Sequence, residues 1–166
     1  MTHILIKNKY LFYNNYRIKC ALGKRGIGEK RKEGDFITPI GFFKIKLVLY
    51  RKDRIKKLDT VFKKKEIKKN MGWCDDPKSK KYNKLITTPL GFNYEKLFRK
   101  DNIYDIILVL NYNMKPVKKN KGSAIFIHVA KREYNYTKGC VAIRKHHLLK
   151  LVRYLKLDTH IKIVKT

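Results

Sequence analysis

The stretch that decides the fold is IFIHVAKREYNYTKGCVAI, residues 125–143 of a 166-residue chain. An apolar run of strand length, residues 124–129, ends at His128-Val129. A short polar loop follows, and Gly139-Cys140 then precedes a second apolar run. Apolar runs of this length are typical of buried strands. We therefore expect a buried strand over 124–129, with a histidine near its end.

The same stretch predicts a cysteine–histidine site, because a loop of this length can return the Cys140 sulfur to the His128 imidazole. The thiolate is the nucleophile of cysteine enzymes, and a nearby imidazole takes its proton or pairs with it. Cys140 comes directly before a helix predicted to begin near Arg144. If Cys140 lies near the start of that helix, the helix dipole would also lower the thiol pKa. Gly139 lets the backbone approach a substrate carbonyl, and the N–H groups around Gly139 and Cys140 could form an oxyanion hole. The spacing alone leaves open a buried structural thiol and a hydrogen-bonded strand-end histidine.

Outward from this stretch, the pattern predicts a mainly β protein with minor α. Leu148, Leu151, Val152 and Leu155 recur at helical spacing and predict a helix over 144–155 that turns these leucines and this valine to the core. Strand-like segments are predicted at 4–6, 10–13, 17–22, 42–50, 103–110 and 160–164, with Asn-containing turns at Asn8 and at 14–15. The charged segment 51–70 is either a strand pair or an exposed excursion. The length fits one domain over residues 1–166.

The composition is strongly basic, with 42 Lys plus Arg against 13 Asp plus Glu and a net charge of +29. Only nine of the basic residues are Arg, and Lys, Asn, Ile and Tyr are all abundant, which favours solvated surface lysine over a dedicated nucleic-acid site. The alternative is a basic nucleic-acid-binding protein, but the aromatic residues fall mostly in strand-like runs. We expect scattered basic residues and weak DNA binding that moderate salt abolishes.

The cysteine and histidine patterns indicate neither a disulfide framework nor a metal centre. Cys20, Cys74 and Cys140 are an odd number at long spacings, and neither CxxC nor HExxH occurs. We therefore expect no metal, and Cys20 and Cys74 to be structural thiols. No apolar run approaches the length of a membrane span, and Lys7 and Lys9 interrupt the N-terminal apolar residues where a signal peptide would have its core.

Three ordered blocks resemble the YkuD-type L,D-transpeptidase family. The first is the 125–143 stretch, in which His128, Thr137, Gly139, Cys140 and Val141 fill the places of that family's His, Ser/Thr, Gly-Cys and apolar residue. The second is GKRG at 23–26, KEGD at 32–35 and TPIGFF at 38–43, which look like the family's glycine loop, EGD and TPxGxF signatures. The third is MGWCDDP at 71–77 with Tyr82-Asn83 following, similar to a branch that carries WxDDP and YN. The resemblance covers residues 23–155.

The resemblance implies a β-sandwich-like catalytic domain with a helix after the catalytic cysteine. It implies that Cys140 attacks the peptide bond between the third residue of a peptidoglycan tetrapeptide stem and the terminal D-Ala. A thioester forms, D-Ala leaves, and an amine takes the acyl group. His128 would be the base, oriented by the carbonyl of Val129, and no cofactor would be required. If water takes the acyl group, the enzyme is an L,D-carboxypeptidase, and the sequence does not separate the two.

Two departures from the family pattern bear on how substrate is held. Lys138 replaces the second histidine of the usual Ser-His-Gly-Cys, and Ala142 stands where an arginine is often found. Lys138, Arg144 or Arg25 would have to supply the positive charge for a substrate carboxylate. A third interpretation is a degenerate, non-catalytic wall-binding domain.

The resemblance further implies substrate-binding residues, partners and a location. Thr137, Lys138, Trp73, Tyr82 and Asn83 are the expected substrate-binding residues, although Trp73 could serve core packing and Tyr82 and Asn83 could pack and cap. The expected partners are peptidoglycan stems, with no specific nucleic acid and no transmembrane segment, and the chain is expected to be a monomer. The family acts in the periplasm or cell envelope, so its members need an export route, and no signal peptide is visible in this chain.

Overall fold

The computed structural model describes residues 3–88 and 91–166 and is mainly β. In chain order the strands and the helix are β1 (His3–Lys7), β2 (Tyr10–Tyr13), β3 (Tyr16–Lys19), β4 (Ile27–Gly28), β5 (Thr38–Pro39), β6 (Gly41–Tyr50), β7 (Lys64–Glu66), β8 (Met71–Cys74), β9 (Leu85–Thr87), β10 (Tyr94–Lys96), β11 (Ile106–Leu110), β12 (Phe126–Val129), β13 (Val141–Ile143), α1 (Lys145–Tyr154) and β14 (His160–Ile163).

One nine-stranded sheet dominates the fold, in the order β13-β12-β11-β6-β14-β1-β2-β3, with β7 added beside β6. The ten-residue strand β6 joins its two halves, because its first residues pair with β14 and its later ones with β11. An isolated bridge between Ala21 and Ala142 links the chain just after β3 to β13, so the two ends of the sheet nearly meet. A three-stranded sheet, β10-β8-β9, and a two-stranded one, β4-β5, complete it.

Two apolar clusters occupy opposite faces of the central strands, because side chains alternate along each strand. The larger cluster lies under α1 and includes Ile127, Val141 and Leu148. The smaller one contains Phe126 and Cys140 together with Trp73 of the three-stranded sheet. Cys140 is therefore placed on the face of β12–β13 that is covered by the small sheet.

The mainly β class and the single helix after the cysteine are confirmed, and the core face of that helix is as predicted. Leu148, Leu151, Val152 and Leu155 are each at most 4% exposed. The expected buried strand is confirmed in shorter form as β12, since residues 124 and 125 lie outside it. The charged segment 51–70 contributes only the three-residue strand β7.

One local prediction is wrong. Cys140 is not directly before the helix, because the strand β13 lies between them and α1 begins five residues later, at Lys145. The run Val141-Ala142-Ile143 is wholly buried and pairs in parallel with β12, which is the arrangement that β-branched residues favour.

Candidate active site

Cys140 and His128 both line one cleft of about 490 Å³. They share it because β12 and β13 run in parallel, with His128 opposite Ala142 and Ile127 opposite Val141. This register puts Cys140 level with Phe126, and side chains two residues apart on a strand lie on the same face. The thiol and the imidazole therefore stand diagonally on one face of a strand pair. Thr137, Lys138 and Ala142 line the same cleft.

Two backbone groups hold the Cys140 thiol. The thiol donates to the carbonyl oxygen of Ala124, with Sγ 3.1 Å away, and Sγ lies 3.4 Å from the backbone nitrogen of Phe126, whose N–H points at it. Cys140 is 9% exposed. No hydrogen bond joins the thiol to His128, both of which belong to the part of the chain that the structure describes. The thiol hydrogen is thus engaged by a backbone carbonyl.

The His128 imidazole is fixed by the backbone at its own strand end. Its Nδ1 lies 3.0 Å from the carbonyl oxygen of Val129. A carbonyl can only accept, so Nδ1 carries the hydrogen and Nε2 keeps a free lone pair. The Tyr104 ring meets the imidazole edge-on, with centroids 5.3 Å apart. The ring is therefore in the tautomer that a general base requires.

Burial keeps both groups neutral. Burial lowers the pKa of His128 to about 4, against the weaker opposing effect of the Val129 carbonyl. Burial raises the pKa of the Cys140 thiol to about 12, although the N–H of Phe126 works the other way. The condition for a thiol pKa lowered by the helix dipole is not met, because β13 separates Cys140 from the start of the helix, and burial raises the pKa instead. Both directions favour a thiol and a neutral imidazole over an ion pair at neutral pH.

Internal hydrogen bonds fix the turn that precedes Cys140. Thr137 Oγ1 donates to the Cys140 carbonyl at 2.6 Å and accepts from the Gly139 N–H at 3.1 Å. The Gly139 N–H is therefore engaged, which argues against its expected role as an oxyanion donor. The Cys140 N–H has no acceptor within hydrogen-bonding distance among residues 3–88 and 91–166. Gly139 has φ +140°, and a Cβ there would come within 2.8 Å of the Ile37 carbonyl oxygen.

Sequence reasoning missed a buried ion pair next to this loop. Lys30 Nζ lies 2.6 Å from Asp35 Oδ1, and each side chain is 2% exposed. Burial alone would raise the pKa of Asp35, but Lys30 and the N–H groups of Arg31, Ile37 and Lys32 outweigh it and lower the pKa. The block KRKEGD at 30–35 therefore carries a buried cation to the wall of the cleft. The only sequence signal for this ion pair is that Lys30 stands five residues before Asp35.

The cleft wall carries charges of both signs. Three carboxylates line it, those of Glu33, Asp75 and Glu95, beside the cations Lys30, Arg99, Lys131 and Lys138. Burial, and then the charges of Glu33 and Glu95, raise the pKa of Asp75.

Of the three cations proposed to replace the family's arginine, only Lys138 lines the cleft. Arg144 donates to the Arg132 carbonyl, 2.9 Å away, and stacks over Tyr134, while Arg25 lines a different cavity.

Trp73, Tyr82 and Asn83 do not line the cleft, so the expectation that they bind substrate is not supported. They are 4%, 1% and 3% exposed and lie behind its wall. Tyr82 donates to Glu33 at 2.5 Å, and Asn83 Oδ1 accepts from Trp73 Nε1 at 3.0 Å. Trp73, Tyr82 and Asn83 thus support the cleft from behind, whereas Asp75 of the same WxDDP block lines it. A motif shows which residues recur but not whether they face inwards.

Neither a metal cluster nor a membrane-spanning helix is found in the described chain. No group of three or more His, Cys, Asp or Glu side chains there is placed to hold a metal ion. Residues 3–88 and 91–166 contain no helix with the length and apolarity to cross a bilayer.

Comparisons with known proteins concern the family and the fold of the chain. The family model of the L,D-transpeptidase catalytic domain, YkuD, matches residues 2–163. The solved structure of Bd1075 from Bdellovibrio bacteriovorus superposes with a TM-score of 0.50 at 18% identity, covering 98% of this chain. At this identity the likeness concerns the fold. The chain spans about half, 47%, of that protein's length. A search of curated proteins found no match.

Proposed function

Because the chain belongs to the YkuD family of L,D-transpeptidase catalytic domains, we propose that it is a cysteine-dependent L,D-transpeptidase acting on peptidoglycan tetrapeptide stems. The observation that carries the proposal is the cleft that holds the Cys140 thiol and the His128 imidazole on one strand face, with Nε2 free. The family is associated with the cell envelope, which is where such stems occur.

In the proposed first step, Cys140 Sγ attacks the carbonyl carbon between the third stem residue and D-Ala. His128 Nε2 takes the thiol proton as the S–C bond forms, because the hydrogen on Nδ1 leaves a lone pair at Nε2 to accept it. The Cys140 N–H is the available donor for the oxyanion. The C–N bond then breaks, His128 returns the proton to the D-Ala nitrogen, and a thioester remains on Cys140.

In the second step an amine attacks the thioester carbonyl and His128 takes a proton from that amine. The C–S bond then breaks, and His128 returns the proton to Cys140 Sγ. The products are a new amide and the free thiol. Water in place of the amine gives L,D-carboxypeptidase activity from the same thioester.

Lys138 is the proposed partner of a substrate carboxylate, since it lines the cleft while Arg144 and Arg25 do not. A lysine holds a carboxylate as a point charge on a flexible stem. Lys138→Ala should therefore raise KM for the stem several-fold and leave kcat within about threefold, because a contact made equally in ground and transition states alters only binding. Arg25→Ala is the matched control and should change neither.

The test is incubation of the full chain with a synthetic stem tetrapeptide, with and without added glycine as amine acceptor. Release of D-Ala and formation of the glycine-exchanged peptide, measured by mass spectrometry, support transpeptidation. Tripeptide alone supports the carboxypeptidase. His128→Asn keeps a donor for the Val129 carbonyl and should lower turnover by about 100-fold or more, the usual scale for losing a general base. Turnover within threefold of wild type in that variant would remove the histidine from the mechanism.

A further inference from the structure

The Asn83 side chain is completely engaged beneath the cleft. Its Oδ1 accepts from Trp73 Nε1 at 3.0 Å and from the Ala124 N–H at 3.1 Å. Its Nδ2 donates to the carbonyls of Tyr112, at 3.0 Å, and Asn113, at 2.8 Å. A carboxamide has two donor hydrogens and two acceptor lone pairs, so every position is used. A buried amide bonded on all sides has a single orientation.

Ala124 connects Asn83 to the Cys140 thiol. The Ala124 N–H donates to the Asn83 side chain, and the Ala124 carbonyl accepts the Cys140 thiol hydrogen, with Sγ 3.1 Å from the carbonyl oxygen. Ala124 has φ +51°, a left-handed conformation that residues with a side chain adopt rarely and at a cost. Such a conformation persists only where its surroundings fix it, and the amide of Asn83 is one such restraint.

We propose that Asn83 is a positioning residue for the reaction of Cys140: it fixes Ala124, whose carbonyl holds the thiol hydrogen until substrate occupies the cleft. The proposal rests on Cys140 being the nucleophile. When substrate binds, the thiol turns from Ala124, the S–H···O contact breaks, and the proton becomes available to His128 Nε2. Asn83 acts through Ala124 and does not touch substrate.

This arrangement makes two measurable properties move in opposite directions. A neutral carbonyl stabilises the S–H form and repels a thiolate, so releasing Ala124 makes the thiol easier to ionise and faster to alkylate. The same release leaves Sγ less well placed against the scissile carbonyl, and misplacement by about 1 Å costs about 100-fold in rate. A purely structural role for Asn83 would not couple faster alkylation of Cys140 to slower turnover.

The experiment uses Asn83→Gly, because Asn83 has φ +58° and glycine adopts that conformation without strain. Asn14→Gly is the matched control, an exposed residue with φ +50° in the turn between β2 and β3. Iodoacetamide alkylation of Cys140 is followed by peptide mass spectrometry at several pH values, and kcat and KM are measured on the stem tetrapeptide. The buried thiols Cys20 and Cys74 report general loosening in the same samples.

None of the titratable groups that face the thiol is substituted in these variants. They are His128 on β12, Lys30 and Glu33 in the loop after β4, Glu95 on β10, and Tyr104 before β11. A change in the pH profile of alkylation therefore reports the lost carbonyl contact rather than a lost charge.

For Asn83→Gly we expect kcat to fall about 10- to 100-fold with KM changed less than threefold. Alkylation of Cys140 at fixed pH should rise by up to about tenfold, which is the effect of one hydrogen bond on a thiol pKa. Asn14→Gly should match wild type. Trp73→Phe removes one donor to Asn83 but keeps a ring against Phe126, and should give a smaller change in the same directions.

The proposal is overturned if kcat of Asn83→Gly stays within twofold of wild type, or if Cys140 alkylation does not rise. It is equally overturned if Cys20 and Cys74 become reactive in parallel and Trp73→Phe leaves both readouts unchanged. A failure of the proposed function is distinguishable from a failure of the Asn83 proposal. The first would appear as full turnover in Cys140→Ser, whereas the alkylation comparison tests Asn83 without requiring turnover.

Discussion

The pH dependence of folding tests whether His128 is held neutral, as a general base must be. Its pKa is lowered by burial from 6.5 to about 4 in the folded chain. A group whose pKa is lower when folded binds its proton first in the unfolded chain, so stability falls as pH drops below 6.5 and the loss is complete below about 4. The imidazole is 7% exposed, so little solvent screening applies.

The magnitude follows from the two pKa values. Each unit of difference corresponds to about 1.36 kcal/mol, so His128 should remove about 2 kcal/mol from the free energy of unfolding between pH 7 and pH 5, and about 3 kcal/mol by pH 4. Carboxylates titrate in the same range, so the relevant quantity is the difference between wild type and His128→Asn. Asparagine does not titrate and can still donate to the Val129 carbonyl.

The assay is urea unfolding of both proteins at pH 7, 6, 5 and 4, with unfolding free energies extrapolated to water. The variant is expected to lose about 2–3 kcal/mol less than wild type over this range, whatever its offset at pH 7. If the difference in unfolding free energy between the two proteins changes by less than about 0.5 kcal/mol from pH 7 to pH 4, the fold does not hold His128 neutral. The assignment of His128 as a base that is unprotonated at rest would then lose its physical support.

Three further predictions concern the cleft. Because burial raises the pKa of Cys140 to about 12, its alkylation rate should climb through pH 9 without a plateau; a plateau with a midpoint near 6 would indicate an ion pair instead. Lys30→Met leaves the buried Asp35 carboxylate unpaired and should cost about 3–5 kcal/mol in urea unfolding, whereas a loss below about 1 kcal/mol would contradict the burial of the pair. Gly139→Ala forces a Cβ to within 2.8 Å of the Ile37 carbonyl oxygen at φ +140°, so turnover should fall at least about 10-fold, and unchanged kinetics would refute the close approach.

Sequence alone predicted the parts of the fold that depend on local pattern. The helix face was readable because Leu148, Leu151 and Val152 recur with the helical period, and β12 because an apolar run has strand length. Residues 141–143, directly after Cys140, were predicted to lead into the helix, but they form the strand β13. Three apolar residues do not distinguish a strand from a helix start, and the pairing of that run with β12 is a long-range fact.

The residues of the site were predictable in identity but not in environment. A histidine and a cysteine at a short loop's distance indicated the pair, yet the direction of the thiol pKa depends on how deeply Cys140 is buried, which the small sheet and Ala124 determine. Likewise, Asn83 stood out as part of a motif. Only the packed structure shows it bonded to Trp73 behind the wall instead of facing substrate.

The central claim is that Cys140 carries the acyl group, and the most direct measurement is the mass of the intact protein during turnover of a stem tetrapeptide. If Cys140 is the nucleophile, the protein gains an adduct equal to the peptide less D-Ala, located by peptide mapping at Cys140 and released by hydroxylamine as thioesters are. Cys140→Ser should show neither adduct nor D-Ala release, while Cys20→Ser and Cys74→Ser should retain both. An adduct on another residue, or D-Ala release by Cys140→Ser at the wild-type rate, would show that Cys140 does not carry the acyl group.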